Sequence, residues 1–558
     1  KYNVKETGGI LPLQITFTRL EPNADYKAYV VVNSPMFSDI SEENRVELKS
    51  QAVEFDTNDK VSERELLIEF YKATGGDNWI NNENWCSDKP IEEWYGIGLR
   101  GKNVGIINLD NNNLTGTADL RKFKDLMSVS CTGNSLTSID VSGLEILEFL
   151  YCNNNKLTSL NVSGAKQLEI IHCQYNQLTN IQLTDLPELF QFVCYNNKIS
   201  QLNVAELTNL ASLSCGYNQL TSIDISQLKD LQGLDCIGNQ LTSLNISNLS
   251  KFRSLRCISN NISNLNLTNL PNLEHIECDN NSLTNIDLSH FTELKIVDCN
   301  SNQLTNLNVA NLNKLEELDC HNNQLTNLST SGLTNLKKLH CHNNQLINIG
   351  TSSLSNLEEL HCDGNQLKLL DVSNLTHIKT LRCYNNQLTK LDTSSLTNIE
   401  DLNCSKNPLS NLNVSNLVQL KSLGCSENQL TELDISNLTN LEILYCSKNQ
   451  LATLDISNLI YLRNLDCSSN QLTTLSTSNL ANLYRLDCSN NQLTTLNVSK
   501  SVNLNNLLCS NNSLLSIYLP IGFTNISYTA WGEQDNNKYK YPNHKNGWQY
   551  PKFIYVEK

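Results

Sequence analysis

The hydrophobic positions of this chain recur with a period of 21 residues over most of its length. Around Cys320 they are Leu315, Leu318, Leu325 and Leu328, and neighbouring units repeat this spacing. Within each unit a Leu and the Cys are separated by a single residue, which is the alternation of a β-strand with one buried face. The pattern therefore predicts one short strand per unit, with the Leu and the Cys pointing inward.

An asparagine follows each periodic cysteine after three residues, from Asn134 to Asn512. Its side-chain amide offers both a donor and an acceptor, and a buried turn leaves backbone groups that need partners. We therefore expect the stacked asparagines to form a ladder that bonds the backbone of neighbouring turns.

The general unit is L-x-x-L-x-C-x-x-N-x-L-x-x-L, which is the signature of a leucine-rich repeat. Because one unit cannot bury its own apolar face, successive units must stack. We predict a right-handed leucine-rich-repeat solenoid of the α/β class, mostly β, with about twenty repeats over residues 104–519. A parallel sheet forms its concave face, and short extended or 3₁₀ segments form its convex face, because 21 residues leave little room for a full helix.

Nineteen of the twenty cysteines fill the same place in the unit, from Cys131 to Cys509. Disulfide frameworks and zinc sites use uneven or clustered spacings, whereas a constant period indicates a repeated core position. A buried thiol packs as a small apolar group, so we predict a ladder of free thiols. Cys86 lies outside the array and has no evident partner.

Residues 58–103 are predicted to form a helical N-terminal cap. Ser62 and Glu65 have the spacing of a capping box before an apolar helix. Three tryptophans follow, Trp79, Trp85 and Trp94, and they are bulky enough to close the end of the repeat core.

The two chain ends depart from the repeat. Residues 1–57 contain alternating runs that predict strands and, at 20–26, the spacing of a tyrosine corner. We interpret them as a partial fibronectin type III or immunoglobulin-like segment, which is either a sandwich cut short or a small sheet on the cap. Residues 520–558 are rich in aromatic side chains and are predicted to form a C-terminal cap, with a carbohydrate-stacking module as the alternative.

The repeat and its flanks resemble a known family. The segments A-T-G-G-D-N-W at 73–79 and W-C-S-D-K-P-I-E-E-W-Y-G-I at 85–97 resemble the cap of plant-type and Bacteroidetes leucine-rich-repeat proteins. Plant caps usually carry a cysteine pair, and here only Cys86 is present. The whole chain is similar to Bacteroidetes surface proteins with 21-residue repeats. This resemblance implies an extracellular or cell-surface protein, secreted or lipid-anchored, that works in adhesion or recognition.

Charge and composition limit the classes of partner that the chain can bind. The net charge is −16, which disfavours nucleic acid and anionic membranes, since both attract basic patches. The chain has neither a run of eighteen apolar residues that could span a membrane nor a glycine-rich phosphate loop. We predict a monomeric, non-enzymatic protein that binds a protein or glycan partner. A structural spacer is the alternative.

The residues before and after each Cys point outward on the concave face, where a partner would bind. Aromatic residues there suit binding hot spots, and acidic residues would attract a basic partner. The predicted ligand-binding residues are Phe149, Tyr151, Tyr175, Tyr195, Tyr217, Glu277, Asp279, Asp298, Asp319, Arg382 and Tyr384. From Ser405 onward the residue after each Cys is always Ser, so we place the contact surface in the first two thirds of the array.

Four histidines converge on three successive predicted strands. Imidazoles at this spacing, flanked by carboxylates, could hold Zn²⁺ or another divalent ion, which is the only cofactor that the sequence suggests. The alternative is a solvated polar face. The predicted metal ligands are His321, His340, His342, His361, Asp319 and Asp363.

Overall fold

The computed structural model describes residues 61–520 and three strands outside that range, Tyr26–Ala28, Val53–Phe55 and Lys552–Val556. Tyr26–Ala28 pairs with Val53–Phe55 in antiparallel register. The rest of the predicted sandwich-like segment, and most of the predicted aromatic cap, lie outside the described residues, so both stay predictions. No helix in the described part of the chain is long and apolar enough to cross a membrane.

The continuous range 61–520 begins with the helix Glu63–Ala73, which carries the predicted capping box. Two 3₁₀ helices follow, Gly76–Asn78 and Ile91–Glu93. The three tryptophans predicted for this segment are buried and pack ring against ring, with centroids 4.8 and 5.2 Å apart. The hairpin of Ile97–Arg100 and Asn103–Asn108 then starts the main sheet.

The main sheet adds one strand per turn, and from Asn103–Asn108 onward all its pairings are parallel. Partners in neighbouring strands are 21 residues apart, as in the pair Asp319 and His340. The strands after the hairpin are Ser128–Ser130, Phe149–Tyr151, Ile170–His172, Gln191–Val193, Ser212–Ser214, Gly233–Asp235, Ser254–Arg256, His275–Glu277, Ile296–Asp298, Glu317–Asp319, Lys338–His340, Glu359–His361, Thr380–Arg382, Asp401–Asn403, Ser422–Gly424, Ile443–Tyr445, Asn464–Asp466, Arg485–Asp487 and Asn506–Leu508.

Short extended segments and turns lie behind this sheet, as predicted. In one unit the turns are closed by backbone hydrogen bonds from Leu312 to Val309 and from Leu315 to Leu312. Some of the extended segments pair with one another as small parallel sheets. These convex strands are Thr115–Asp119, Ser135–Asp140, Ser159–Asn161, Ser243–Asn245, Asn264–Asn266, Asn285–Asp287, Asn306–Asn308, Thr495–Asn497 and Ser516–Pro520, the last pairing with Lys552–Val556.

The asparagine ladder is present in full. Nδ2 of Asn323 donates to the carbonyl of Cys320 at 3.1 Å and to the carbonyl of Cys299, one turn earlier, at 3.0 Å. Its Oδ1 accepts the N–H of Leu304 at 2.9 Å. Equivalent bonds recur from Asn134 to Asn512. Each buried amide therefore ties two turns together through three backbone groups.

Each turn leaves its strand through the same backbone conformation. The residue two positions after every periodic Cys has a positive φ, for example 52° at Asn322 and 56° at Tyr175. This left-handed residue reverses the chain so that the following Asn points back into the core. Most of these residues are not glycine, because the ladder bonds on either side hold the conformation.

All twenty cysteines lie within the described residues, and each is unpaired. The eighteen from Cys131 to Cys488 are buried, Cys509 is partly buried and Cys86 is exposed. Burial raises the pKa of Cys215 and of Cys404 to about 12. Since the thiolate is the reactive species, the buried thiols are protected both by their packing and by their protonation.

We expect Ellman's reagent to modify at most Cys86 and Cys509 in the native protein, and all twenty cysteines once the protein is unfolded in guanidinium. The absorbance of the released thiolate counts the reacted thiols against time. Rapid reaction of several thiols without denaturant would contradict the buried ladder.

Candidate functional site

The concave face of each turn presents three outward side chains, which lie three residues before, one residue before and one residue after the Cys. In the turn of Cys320 they are Glu317, Asp319 and His321, and all three are partly exposed. Parallel pairing places equivalent residues of adjacent turns side by side, about 4.8 Å apart. The face therefore consists of three columns of side chains.

Two stacked pairs of histidines occupy two of these columns. The rings of His321 and His342 are 4.2 Å apart between centroids, and those of His340 and His361 are 4.4 Å apart. Their planes are nearly parallel, at 9° and 11°. The two pairs approach each other edge to face, with His342 and His361 6.1 Å apart. The structure thus brings together the four histidines that the sequence placed on this patch.

Asp319 lies beneath the patch and contacts a nitrogen of each pair. Its Oδ1 is 2.5 Å from Nδ1 of His321, and its Oδ2 is 3.4 Å from Nδ1 of His340. A carboxylate only accepts hydrogen bonds, so both Nδ1 atoms carry the proton. Although burial alone would raise it, these contacts hold the pKa of Asp319 well below its usual range. The same contact raises the pKa of His340 above its usual value.

The remaining two histidines are neutral at physiological pH. Burial, together with the positive charge of a neighbouring histidine, lowers the pKa of His342 and of His361 to about 4. Their ring nitrogens therefore keep a free lone pair, which is the form that binds a metal ion.

Glu359 completes a group that sequence reasoning missed. Its Oε1 is 3.2 Å from Nε2 of His340 and 3.0 Å from Nε2 of His361. One atom from each residue lies within 4.8 Å of the other two, the spacing of a metal-ligand set. Glu359 stands three residues before Cys362, in the outward column that the sequence analysis left out. Strand alternation alone would have placed it on this face.

The predicted carboxylate ligands occupy other places. Asp319 faces the Nδ1 atoms, on the side of the rings away from Glu359. Asp363 is almost fully buried and hydrogen-bonds Tyr384, and burial raises its pKa. Within the described residues, the one ligand-spaced group of three or more side chains is His340, Glu359 and His361. The assignment of the other predicted ligands stays a prediction.

The predicted acidic residues Glu277, Asp279 and Asp298 differ in their surroundings. Nε of Arg256 lies 3.0 Å from Oε2 of Glu277. Burial raises the pKa of Asp279, and it raises that of Asp298 to about 6, helped by the neighbouring carboxylates. Further along, Arg382 pairs with Asp401 at 3.3 Å.

The predicted aromatic residues cluster near the N-terminal end of the array. Tyr175 and Tyr195 meet edge to face with centroids 5.0 Å apart, and Tyr151 packs against His172 at 5.2 Å. Tyr175 and Tyr217 are about half exposed, because they occupy the left-handed position beside the sheet. Phe149, Tyr151 and Tyr195 lie in the outward columns themselves.

A column of side chains with alternating charge borders the sheet. It was not among the features predicted from the sequence. It occupies the residue four positions before each Cys, where basic and acidic side chains alternate over eleven successive turns. Several neighbours form ion pairs, including Lys337 with Glu316 at 2.7 Å and Lys379 with Glu358 at 2.6 Å. Exposed pairs contribute little stability each, and their balanced charge leaves this border without a net attraction for a charged partner.

The comparisons with known proteins bear on the fold. No protein-family model matches the chain, and no curated protein matches it. Among solved structures, YopM from Yersinia enterocolitica matches with a TM-score of 0.66 at 25% identity, over 75% of this chain and 90% of YopM. This chain has the leucine-rich-repeat fold.

Two further solved structures are similar. The leucine-rich-repeat ectodomain of the Arabidopsis receptor kinase HAESA matches with a TM-score of 0.55 at 20% identity, over 82% of this chain and 94% of the ectodomain. The functional domain of InlJ from Listeria monocytogenes, which includes a cysteine ladder, matches with a TM-score of 0.45 at 25% identity, over 70% of this chain and 74% of the domain.

The raised pKa of Asp298 predicts the direction in which the free energy of unfolding changes with pH. Its usual value is 3.8 and its value in the fold is about 6, so ionising this carboxyl costs the folded state free energy. The stability that the group contributes is complete below its usual pKa and is lost as the pH rises through about 6. Asp298→Asn should therefore be about 1 kcal/mol more stable than the parent at about pH 8, allowing for partial exposure, and equal to it at about pH 4.

Urea unfolding at both pH values measures this difference. Asp455→Asn is the control, because backbone and side-chain hydrogen bonds from Ser457 lower the pKa of that exposed carboxyl. It should gain no stability as the pH rises. A pH-independent effect of Asp298→Asn would show that burial does not perturb this group.

Proposed function

We propose that this chain is a recognition protein that binds a protein partner along the first two thirds of its concave face. The observation that carries the proposal is the uneven variety of the outward columns. The inward Cys and Asn are the same in all nineteen units, whereas the outward residue after the Cys varies from unit to unit up to Tyr384 and is always Ser from Ser405 onward. Outward positions that vary while the core positions stay constant are available for specific contacts with a partner.

The shape of this face suits an extended partner. Eleven strand spacings separate Tyr151 from Tyr384, which corresponds to about 50 Å at the usual distance between strands. The aromatic cluster offers large, rigid contact groups of the kind that dominate binding energy. Arg256, Glu277 and Arg382 then supply charged groups further along.

The similarity to receptor ectodomains supports a partner of this class. The HAESA ectodomain was solved in complex with the peptide hormone IDA, in a form lengthened at its N-terminus. We propose that the present chain likewise binds a polypeptide segment laid along its turns. A glycan that stacks on the aromatic cluster is the alternative, and treating the partner with glycosidases separates the two.

We further propose that the protein acts outside the cell or at its surface. This location rests on the resemblance to Bacteroidetes surface proteins. The thiol ladder is compatible with it, since thiol–disulfide exchange needs an accessible thiolate and eighteen of the cysteines are buried. Burial thus allows an unpaired cysteine core to persist in an oxidising environment.

The test compares concave with non-concave tyrosines. Biotinylated protein is screened on an array of extracellular proteins, and the affinity of each hit is measured for Tyr151→Ala/Tyr195→Ala. We expect Kd to rise about thirtyfold for the true partner, the effect of losing about 2 kcal/mol of hot-spot contact. The control, Tyr461→Ala/Tyr484→Ala, removes two exposed tyrosines outside the three columns and should leave Kd unchanged.

Hits that bind the concave variant and the parent equally well would refute the proposed surface. The same conclusion follows if the control variant alone loses binding. Circular dichroism of each variant confirms that the fold is retained.

A further inference from the structure

We propose that His340, Glu359 and His361 form a binding site for one divalent ion of the zinc class on the concave face. The three side chains belong to two adjacent strands, Lys338–His340 and Glu359–His361, which pair in parallel with His340 opposite His361. The solenoid therefore sets their spacing directly, and the site does not depend on the proposed partner.

The distances from Glu359 to the two histidines match those between ligands of one metal ion. Donor atoms bound at about 2.0–2.1 Å around a tetrahedral ion lie about 3.3 Å from one another. Oε1 of Glu359 lies 3.2 and 3.0 Å from the two Nε2 atoms. The two nitrogens are within 4.8 Å of each other, and their ring planes are only 11° apart. The rings would therefore have to tilt and move closer for both in-plane lone pairs to reach one ion.

The Nε2 atoms of the two histidines form no hydrogen bond in the described structure. Nε2 of His340 and Nε2 of His361 are both buried and lack a hydrogen-bond partner. Their contacts with Glu359 are close, yet they do not have hydrogen-bond geometry. Leaving two buried ring nitrogens without a partner costs free energy, and a cation between them and Glu359 would remove that cost.

Asp319 orients one of the ligands. It contacts Nδ1 of His340 from the opposite side of the ring, which places the proton on Nδ1 and leaves the Nε2 lone pair directed toward Glu359. Metal-binding histidines commonly donate their second ring N–H to a carboxylate in this way. Asp319, which the sequence predicted as a ligand, thus becomes a positioning residue.

The donor set selects the kind of ion. Two imidazoles and one carboxylate suit Zn²⁺, Co²⁺ or Ni²⁺, whereas Mg²⁺ and Ca²⁺ prefer oxygen donors throughout. The side chains of His340, Glu359 and His361 are 24%, 31% and 14% exposed. The ion would therefore keep a position open to the groove, where water completes the tetrahedron.

Titration calorimetry of the full chain without a histidine tag tests the site, using ZnCl₂, MgCl₂ and CaCl₂ in separate experiments. We expect one Zn²⁺ per chain with a micromolar or lower Kd, and no heat from Mg²⁺ or Ca²⁺ at the same concentrations. Glu359→Gln and His361→Ala should each weaken Zn²⁺ binding at least tenfold. Asp319→Asn should weaken it by about tenfold through the orientation of His340.

The neighbouring stack supplies the matched control. His321→Ala/His342→Ala removes two concave histidines and leaves the proposed ligands in place, so it should retain the single Zn²⁺. Co²⁺ gives an independent readout, since a tetrahedral site produces strong visible absorption that Glu359→Gln should abolish. Absence of Zn²⁺ binding, or binding that the control loses and Glu359→Gln keeps, would overturn the proposal.

Discussion

The structure depends on one buried amide per turn. Each asparagine three residues after a Cys donates to carbonyls of its own and the preceding turn, and it accepts a backbone N–H from the preceding turn. Without this side chain, a turn of 21 residues would bury polar backbone groups that have no partner. Leucine and cysteine provide the apolar core and parallel pairing spaces the strands, while the amide links each turn to the preceding one where the chain leaves the strand. The strands, the buried thiols and the columns of the concave face all repeat once per turn.

The concave face is the main consequence. Because each turn repeats the backbone of the previous one, a side chain chosen at one outward position always lies beside the same position of the next turn. Pairs of like residues then stack, as the histidines do, and opposite charges alternate along the border of the sheet. A metal site and a recognition surface can therefore arise from changes at outward positions alone, with no cost to the core.

The sequence predicts those features that repeat. The period identifies the strands, the buried thiols and the asparagine ladder, because each position recurs and its environment recurs with it. The histidine patch was also predictable, since alternation places His340 and His361 on one face. The role of Asp319 was not predictable. The repeat gives the backbone position of each residue, but it does not show which ring nitrogen the carboxylate contacts. Glu359 and the alternating charges were missed because only two outward columns were considered.

The most direct test of this account is the free energy of unfolding of ladder variants, measured by urea titration. Asn323→Ala leaves the buried N–H of Leu304 unpaired and removes one of the two asparagine donors to each of the carbonyls of Cys299 and Cys320, and it should cost about 2–3 kcal/mol. Asn323→Asp places a carboxylate oxygen against those carbonyls and should cost more. Asn327→Ala, an exposed asparagine in the same turn, should change stability by less than about 0.5 kcal/mol. If Asn323→Ala were as harmless as Asn327→Ala, the ladder would not be what holds the turns together.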